Sequence, residues 1–219
     1  MRVVSLLLAI ALLPSCAGLS QHPKAVAGLD QAASGPSWGT LVTPSDKLRI
    51  DGFGDSWQRA LAAAPKRLAT KVASEGALLR PDTALDLPAL PPGPYYCRLV
   101  RLGGRAGVTT ATPDFCIVEG TARSLSFTKL NGANAPVGWL FPDTDRRQIF
   151  LGTFRPAKAP SAPGYKTAGS NDVAGVLERV GPFRWRLALA SAAKDAVLDV
   201  YELVPVTPKV RGAVPAIPG

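Results

Sequence analysis

Phe183-Arg184-Trp185-Arg186-Leu187-Ala188-Leu189-Ala190 alternates large apolar with basic side chains along its first half. In an extended strand successive side chains point to opposite faces. Phe183, Trp185, Leu187 and Leu189 therefore share one face, and Arg184 and Arg186 the other. Just upstream, Val180-Gly181-Pro182 carries the residues of a tight reversal, and Val173–Val180 is a second strand-like run. The same punctuation recurs over residues 95–204. Tyr95–Leu102, Asp114–Glu119, Ser124–Leu130, Pro136–Phe141, Gln148–Phe154 and Val197–Val204 are further runs, and Pro142-Asp143-Thr144-Asp145 is a further reversal. Nothing between these runs is long enough for the helix of a parallel crossover, so the sheet is expected to be antiparallel. Eight such strands predict a small closed β-barrel, because closure removes sheet edges; a β-sandwich is the alternative.

Upstream the period changes. Residues 81–94 are a Pro-rich connector, with Pro91-Pro92-Gly93-Pro94 expected to act as a semi-rigid spacer. Residues 38–80 read as a short helical region, which makes the fold class α+β. Thr43-Pro44-Ser45-Asp46 is a helix start: Thr43 as N-cap, Pro44 in the first turn, Asp46 near the positive end of the dipole. That helix should stop by Gly52. Asp55 is expected to cap a second helix, with Gln58 completing a capping box. Trp57, Leu61, Ala64 and Leu68 recur at helical spacing, with Trp57 a core anchor. Pro65 should kink or restart this helix, which is expected to run on to Leu79, weakened by Gly76.

The ends read as targeting and tether. Residues 1–16 hold a basic start at Arg2 and an apolar run from Val3 to Leu13, too short to span a bilayer but fitting a signal segment. Leu13-Pro14-Ser15-Cys16 resembles the bacterial lipobox, in which the cysteine is acylated and becomes the mature N-terminus. Pro14 departs from that pattern, and ordinary signal cleavage near Ala17 is the alternative. Acylation would attach the protein to a membrane at about 0.8 kcal/mol per buried CH₂. Ala17 after the cysteine resembles outer-membrane sorting. Residues 17–37 are a small, polar, Gly/Ala-rich flexible tether carrying His22, the one histidine. Residues 205–219, with Pro208, Pro215 and Pro218, are expected to be a disordered tail.

Cys97 and Cys116 remain once Cys16 is set aside. An even pair in an oxidising compartment predicts a disulfide. The 219 residues carry a net charge of +9. The basic residues are scattered, which fits solubility and attraction to anionic surfaces rather than nucleic-acid recognition.

Few residues carry recognisable chemistry. The histidine sits on the tether, and no nucleophile elbow accompanies it. Ser126 and Lys129 have S-x-x-K spacing but lie in a strand, where they point to opposite faces. Asp143 and Asp145 share a reversal without the ligand set of a calcium loop. Gly103-Gly104-Arg105-Ala106-Gly107 leads to no helix and reads as a mobile loop at the barrel mouth. Arg98, Arg101, Glu178, Arg179, Asp199 and Glu202 form a possible polar cluster of cross-strand pairs, and an inward-facing Arg101 or Glu202 would be its most informative member. No catalytic residue, metal site or cofactor is expected.

Trp38, Thr43-Pro44-Ser45-Asp46, Trp57, Tyr95-Tyr96-Cys97-Arg98, Phe115-Cys116, Phe141-Pro142-Asp143, Phe150-Leu151-Gly152-Thr153 and Asp172 through Arg179 together resemble a family of uncharacterised exported alphaproteobacterial proteins, classed as a domain of unknown function. The resemblance covers Trp38 to Pro205 and implies export but no activity. The layout is also similar, in architecture alone, to small periplasmic inhibitor-type barrels. The reading that follows is a lipid-anchored, non-catalytic binding module on the periplasmic face of the envelope, outer-membrane anchored, with an unidentified envelope protein or ligand as partner. An envelope hydrolase using acidic residues, and a structural lipoprotein binding anionic surfaces, are the alternatives.

Overall fold

The computed structural model describes residues 36–121, 124–132, 134–156, 159, 161–167, 171–190 and 197–207. The signal segment with Cys16, residues 17–35 of the tether with His22, and the tail beyond residue 207 lie outside them.

Four short helices come first: α1 (Trp38–Leu41), α2 (Pro44–Asp51), α3 (Phe53–Ala62) and α4 (Ala69–Ser74), with single 3-10 turns at Lys66–Leu68, Gly76–Leu78 and Pro81–Thr83. The strands follow as β1 (Gly93–Gly103), β2 (Gly107–Thr110), β3 (Asp114–Thr121), β4 (Ser124–Lys129), β5 (Ala135–Pro142), β6 (Arg147–Arg155), β7 (Asp172–Gly181), β8 (Arg184–Ala190) and β9 (Leu198–Pro205). Consecutive strands pair antiparallel except β2 and β3, which both pair with β1, and β9 returns to β1 from Tyr95 opposite Pro205 to Leu102 opposite Leu198. The barrel is closed. Its eight-strand circuit is β1-β3-β4-β5-β6-β7-β8-β9, and β2 is the extra strand.

The extra strand has a local cause. β1 pairs with β3 through Gly93–Cys97 and with β2 through Val100–Gly103. β2 and β3 thus lie along the same edge of β1, interrupted at Ala111-Thr112-Pro113. Proline has no N–H to give the ladder, while the Ala111 N–H still donates to the Leu99 carbonyl at 2.9 Å. The Gly103–Gly107 stretch, expected as a mobile loop, is therefore the turn of a β1–β2 hairpin. Gly107 has φ of +71°, and a Cβ there would stand 2.3 Å from Pro65 Cδ, so glycine lets the hairpin pack on the helical region.

Alternation along each strand sorts the core into two layers. Tyr95, Cys97, Cys116, Val118, Leu125, Phe127, Leu140, Phe150, Leu177, Trp185, Leu187, Tyr201 and Leu203 form one buried cluster to which every strand of the circuit contributes one face. In a closed barrel that shared face is the interior. Cys97 and Cys116 are bridged inside it, with their Cα atoms 5.8 Å apart. Phe150 needs room there, and Gly138 faces Gly152 across β5 and β6; a Cβ on Gly138 would come within 2.8 Å of the Phe150 ring, and one on Gly152 within 2.6 Å.

The second layer lies on the barrel's outer surface. Val100 and Leu102 of β1, Ile149 and Leu151 of β6, Ala174 and Val176 of β7, Ala188 of β8, and Leu198 and Val200 of β9 pack under Ile50, Phe53, Trp57, Ala60, Leu78 and Leu79. The Trp57 indole N–H donates to the Leu79 carbonyl at 3.0 Å. Elsewhere the outer surface stays exposed: Phe115, Tyr96 and Val204 lie on neighbouring strands, Leu130 follows β4 directly, and the Tyr96 and Phe115 rings are 5.4 Å apart.

Three local readings are corrected. Gly52, not Asp55, is the N-cap of α3, because α2 and α3 share that single residue and the second helix starts at once to bury Phe53. The expected run to Leu79 breaks at Ala62 into 3-10 turns around α4, as a proline at 65 and a glycine at 76 with φ of +57° dictate. Residues 81–94 are no free spacer. Leu90 is buried in the barrel cluster, Leu85 bridges Arg179, the Leu87 N–H donates to Asp145, and Gly93 already belongs to β1. Thr43 caps α2 with Pro44 in its first turn, as the sequence indicates.

Candidate functional site

The six residues of the expected polar cluster separate according to strand face. Arg101 and Asp199 sit directly opposite each other on β1 and β9. Both are odd-numbered, like Tyr95, Cys97, Tyr201 and Leu203 on the same strands, and so face the interior. They form a two-pronged pair: Arg101 Nε to Asp199 Oδ1 at 2.5 Å and Nη2 to Oδ2 at 2.6 Å. The hydrogen bonds that Arg101 donates to Asp199 raise the Arg101 pKa against the opposing effect of burial. Arg101 is half-exposed, with 49% of its side-chain surface accessible against 11% for Asp199. The guanidinium thus stands at an opening with its partner carboxylate behind it.

That opening is the barrel mouth, formed by the end of β1, the ends of β6 and β8, and the starts of β7 and β9. A cavity of about 540 Å³ occupies it, within the roughly 300–1,000 Å³ typical of small-molecule sites. Leu99, Phe154, Val173, Leu189 and Tyr201 wall it; Arg101 and Asp199 line one side, and Arg49, Asn134 and Asp172 line it as well. Burial, with the Asp199 charge adding to it, pushes the Tyr201 phenol pKa well up, keeping it neutral.

Arg49 reaches the cavity because α2 is fixed there. Asp46, fully buried near the helix start, accepts from the Thr43 hydroxyl at 2.9 Å, from Arg49 Nη1 at 2.5 Å and from the Tyr165 hydroxyl at 2.7 Å. Tyr165, between β6 and β7, also accepts the Thr43 N–H at 3.0 Å, and burial pushes its phenol up to about 12.

The other expected residues lie elsewhere. Arg98 and Glu202 face outward. Arg98 donates Nε to Glu202 at 2.6 Å and both Nη atoms to Glu75, at 2.9 and 2.6 Å, while Arg184 Nε donates to Glu202 at 2.5 Å. Burial works to raise the Glu202 carboxyl, but hydrogen bonds and charge from Arg98 and Arg184 bring it below its ordinary range. Glu178 pairs with Arg186 Nε at 2.7 Å under the helical region. Arg179 joins none of these: its Nε is buried without a hydrogen-bond partner among the described residues, as are Gln148 Oε1 and Trp185 Nε1. Register places these three on adjacent strands β6, β7 and β8. Asp143 accepts from the Trp38 indole at 2.8 Å and pairs with Arg147, so it ties a turn rather than a ligand. Ser126 and Lys129 lie on β4, as read, and Lys129 Nζ bonds Asp114 at 2.8 Å. Among the described residues no three metal-ligating side chains cluster. Sequence reading missed Arg49, Asp172 and Glu75, whose roles arise from helix placement rather than from any motif.

Asp114, at the start of β3, makes a pH prediction. Burial works to raise its carboxyl, but hydrogen bonds from Lys129, Asn131 and the Phe115 N–H, with the Lys129 charge, hold it down to about 2. A carboxyl depressed in the fold contributes stability above its unfolded pKa of about 3.9, and loses it as pH falls toward its folded pKa. After discounting for solvent screening, the stability advantage of the native protein over Asp114→Asn should shrink by on the order of 1 kcal/mol between pH 6 and pH 2. Urea unfolding at both pH values measures this, and a constant difference would contradict it.

These observations define a helix-capped, disulfide-bridged, closed antiparallel barrel with an ion pair in its mouth. No curated protein matches the chain in sequence. Residues 38–203 match the family model of a domain of unknown function, DUF4893, and the chain belongs to that family. The match begins at α1 and ends within β9, so it spans both the helical region and the barrel. No described helix is long and apolar enough to cross a membrane.

Proposed function

We propose that the protein is a non-catalytic binding module of the bacterial envelope that takes a small ligand in the barrel mouth. The observation that carries this reading is the cavity of about 540 Å³, apolar-walled, with one half-exposed guanidinium beside it. Deeper in, the interior is packed with Leu125, Phe127, Phe150 and Leu187, so the mouth is where a ligand would be admitted. Of the carboxylates of the hydrolase alternative, Asp143, Asp145, Glu178, Asp199 and Glu202, only Asp199 lines the cavity, and Asp172, which lines it as well, holds the Lys166 N–H. Both oxygens of Asp199 are engaged by Arg101. The Cys97–Cys116 bridge supports an oxidising compartment, and with the signal-like segment it supports export; anchoring through Cys16 rests on the lipobox-like Leu13-Pro14-Ser15-Cys16 alone.

The probe for this reading is 1-anilinonaphthalene-8-sulfonate, an aromatic solute of suitable size. The protein should bind it at a single saturable site, and Leu99→Trp, which fills the mouth, should abolish that binding while leaving the thermal melt cooperative. No binding, or binding that Leu99→Trp leaves unchanged, would overturn the assignment.

A further inference from the structure

The hydrogen-bonding geometry of Arg101 specifies what the mouth would accept. A guanidinium offers two forks to a planar anion: one from Nε and one Nη atom, the other from the two Nη atoms. Asp199 takes the first fork, through Nε at 2.5 Å and Nη2 at 2.6 Å. The second fork, Nη1 with the remaining N–H of Nη2, has no partner among the described residues, on a side chain that is half-exposed to the cavity. Arg49 lines the same cavity and, among the described residues, gives only Nη1, to Asp46.

Both carboxylates that line the cavity already hold a donor. Asp199 directs both oxygens at Arg101. Asp172, the other carboxylate lining the cavity, receives the Lys166 N–H at 3.1 Å on each oxygen. The Arg101 fork therefore offers the cavity two parallel N–H groups that no described residue takes up, while the two arginines and two aspartates balance in formal charge. The remaining wall is Leu99, Phe154, Val173, Leu189 and the ring of Tyr201. A small inorganic anion would leave that wall unused, and a purely apolar solute would leave the guanidinium fork unused.

Resting on the reading of the mouth as a binding site, we propose that its ligand is an anionic amphiphile. Its carboxylate or phosphate head would sit on the Nη1–Nη2 fork of Arg101, within reach of Arg49, and its hydrocarbon body would lie along Leu99, Phe154, Val173 and Leu189. Both heads fit a guanidinium fork in two-pronged fashion.

The test is calorimetric titration of the protein with decanoate, decyl phosphate, 1-decanol and decyltrimethylammonium, each kept below micelle formation. The two anions should bind at least about tenfold tighter than decanol, the gain of one charge-assisted pair, and the cation should bind weakest. The ratio of decanoate to decyl phosphate distinguishes a carboxylate head from a phosphate head. In Arg101→Met/Asp199→Leu, which removes both charges together so that neither is stranded, anion and alcohol affinities should become equal; Arg101→Lys keeps a charge without the fork and should lose most of the preference. Equal binding of decanol and decanoate to the native protein would overturn the anionic class and leave the mouth reading standing. Binding of none of the four would overturn both, and strongest binding of the cation would overturn the charge assignment whatever the variants do.

Discussion

Arg186→Ala should lower the free energy of unfolding by about 3–5 kcal/mol, the cost of stranding the partners of a buried charge. The Arg186 side chain is fully buried. Its Nε donates to Glu178 at 2.7 Å, and its Nη1 to the carbonyls of Ala77 at 2.8 Å and Arg80 at 2.6 Å. Its Nη2 reaches the Pro81 carbonyl at 3.2 Å, and the guanidinium lies 4.5 Å from the Trp57 ring centroid. One side chain of β8 thus satisfies the carbonyls at the end of the helical region, which have no helical partner of their own, and holds that region to the barrel wall. Burial depresses the Arg186 pKa, with Glu178 opposing the shift, so Glu178 is what keeps the charge tolerable there. Truncation would strand the Glu178 carboxylate and the Pro81 carbonyl, and would leave the Ala77 and Arg80 carbonyls to share the Thr83 hydroxyl, 2.8 Å from each. Arg186→Met/Glu178→Leu should be milder than Arg186→Ala, because an apolar pair leaves no isolated charge. Urea unfolding measures all three proteins. A loss under about 1 kcal/mol for Arg186→Ala would mean that the helical region docks through its apolar face alone.

Removing the disulfide is the second large effect. Cys97 and Cys116 are 19 residues apart in the chain and lie on adjacent strands, both essentially inaccessible. Constraint of the unfolded chain by a loop of that size contributes about 3 kcal/mol. Cys97→Ala/Cys116→Ala should therefore unfold at lower urea by about that amount, with a small further cost for the lost sulfur atoms in a packed interior. The native protein should resist reduction until it unfolds, since both sulfurs are enclosed by the cluster around Tyr95 and Val118. Ready labelling of two thiols without reductant, or a double variant as stable as the native protein, would contradict this.

Strand positions were legible in the sequence because the turns are marked chemically. Val180-Gly181-Pro182 and Pro142-Asp143-Thr144-Asp145 fall at the β7–β8 and β5–β6 connections. β2 was not legible: four residues, Gly107–Thr110, pair with β1 only because Pro113 interrupts the long partner strand. Which face points inward was not legible either, and the reason is burial on both sides. In β9, Leu198 and Val200 pack under the helical region while Tyr201 and Leu203 fill the barrel, so the run shows no apolar-polar alternation. Phe183-Arg184-Trp185-Arg186 alternates clearly, yet its basic face is not a solvent face: Arg186 is fully buried and Arg184 is paired with Glu202. Arg101 could be named from the sequence as a residue of interest, but its inward aim follows from the register of β1 against β9. Arg49 depends on how α2 crosses the barrel lip, for which the local sequence carries only the Thr43 cap and not the Tyr165 contact.

The most direct measurement of the account is amide chemical-shift mapping of the uniformly labelled protein titrated with 1-anilinonaphthalene-8-sulfonate. The largest saturable changes should fall on Leu99, Arg101, Phe154, Val173, Leu189 and Asp199, at one end of the barrel. Changes centred instead on the exposed row of Phe115 and Tyr96, or spread over the surface without saturation, would contradict the mouth as the binding site.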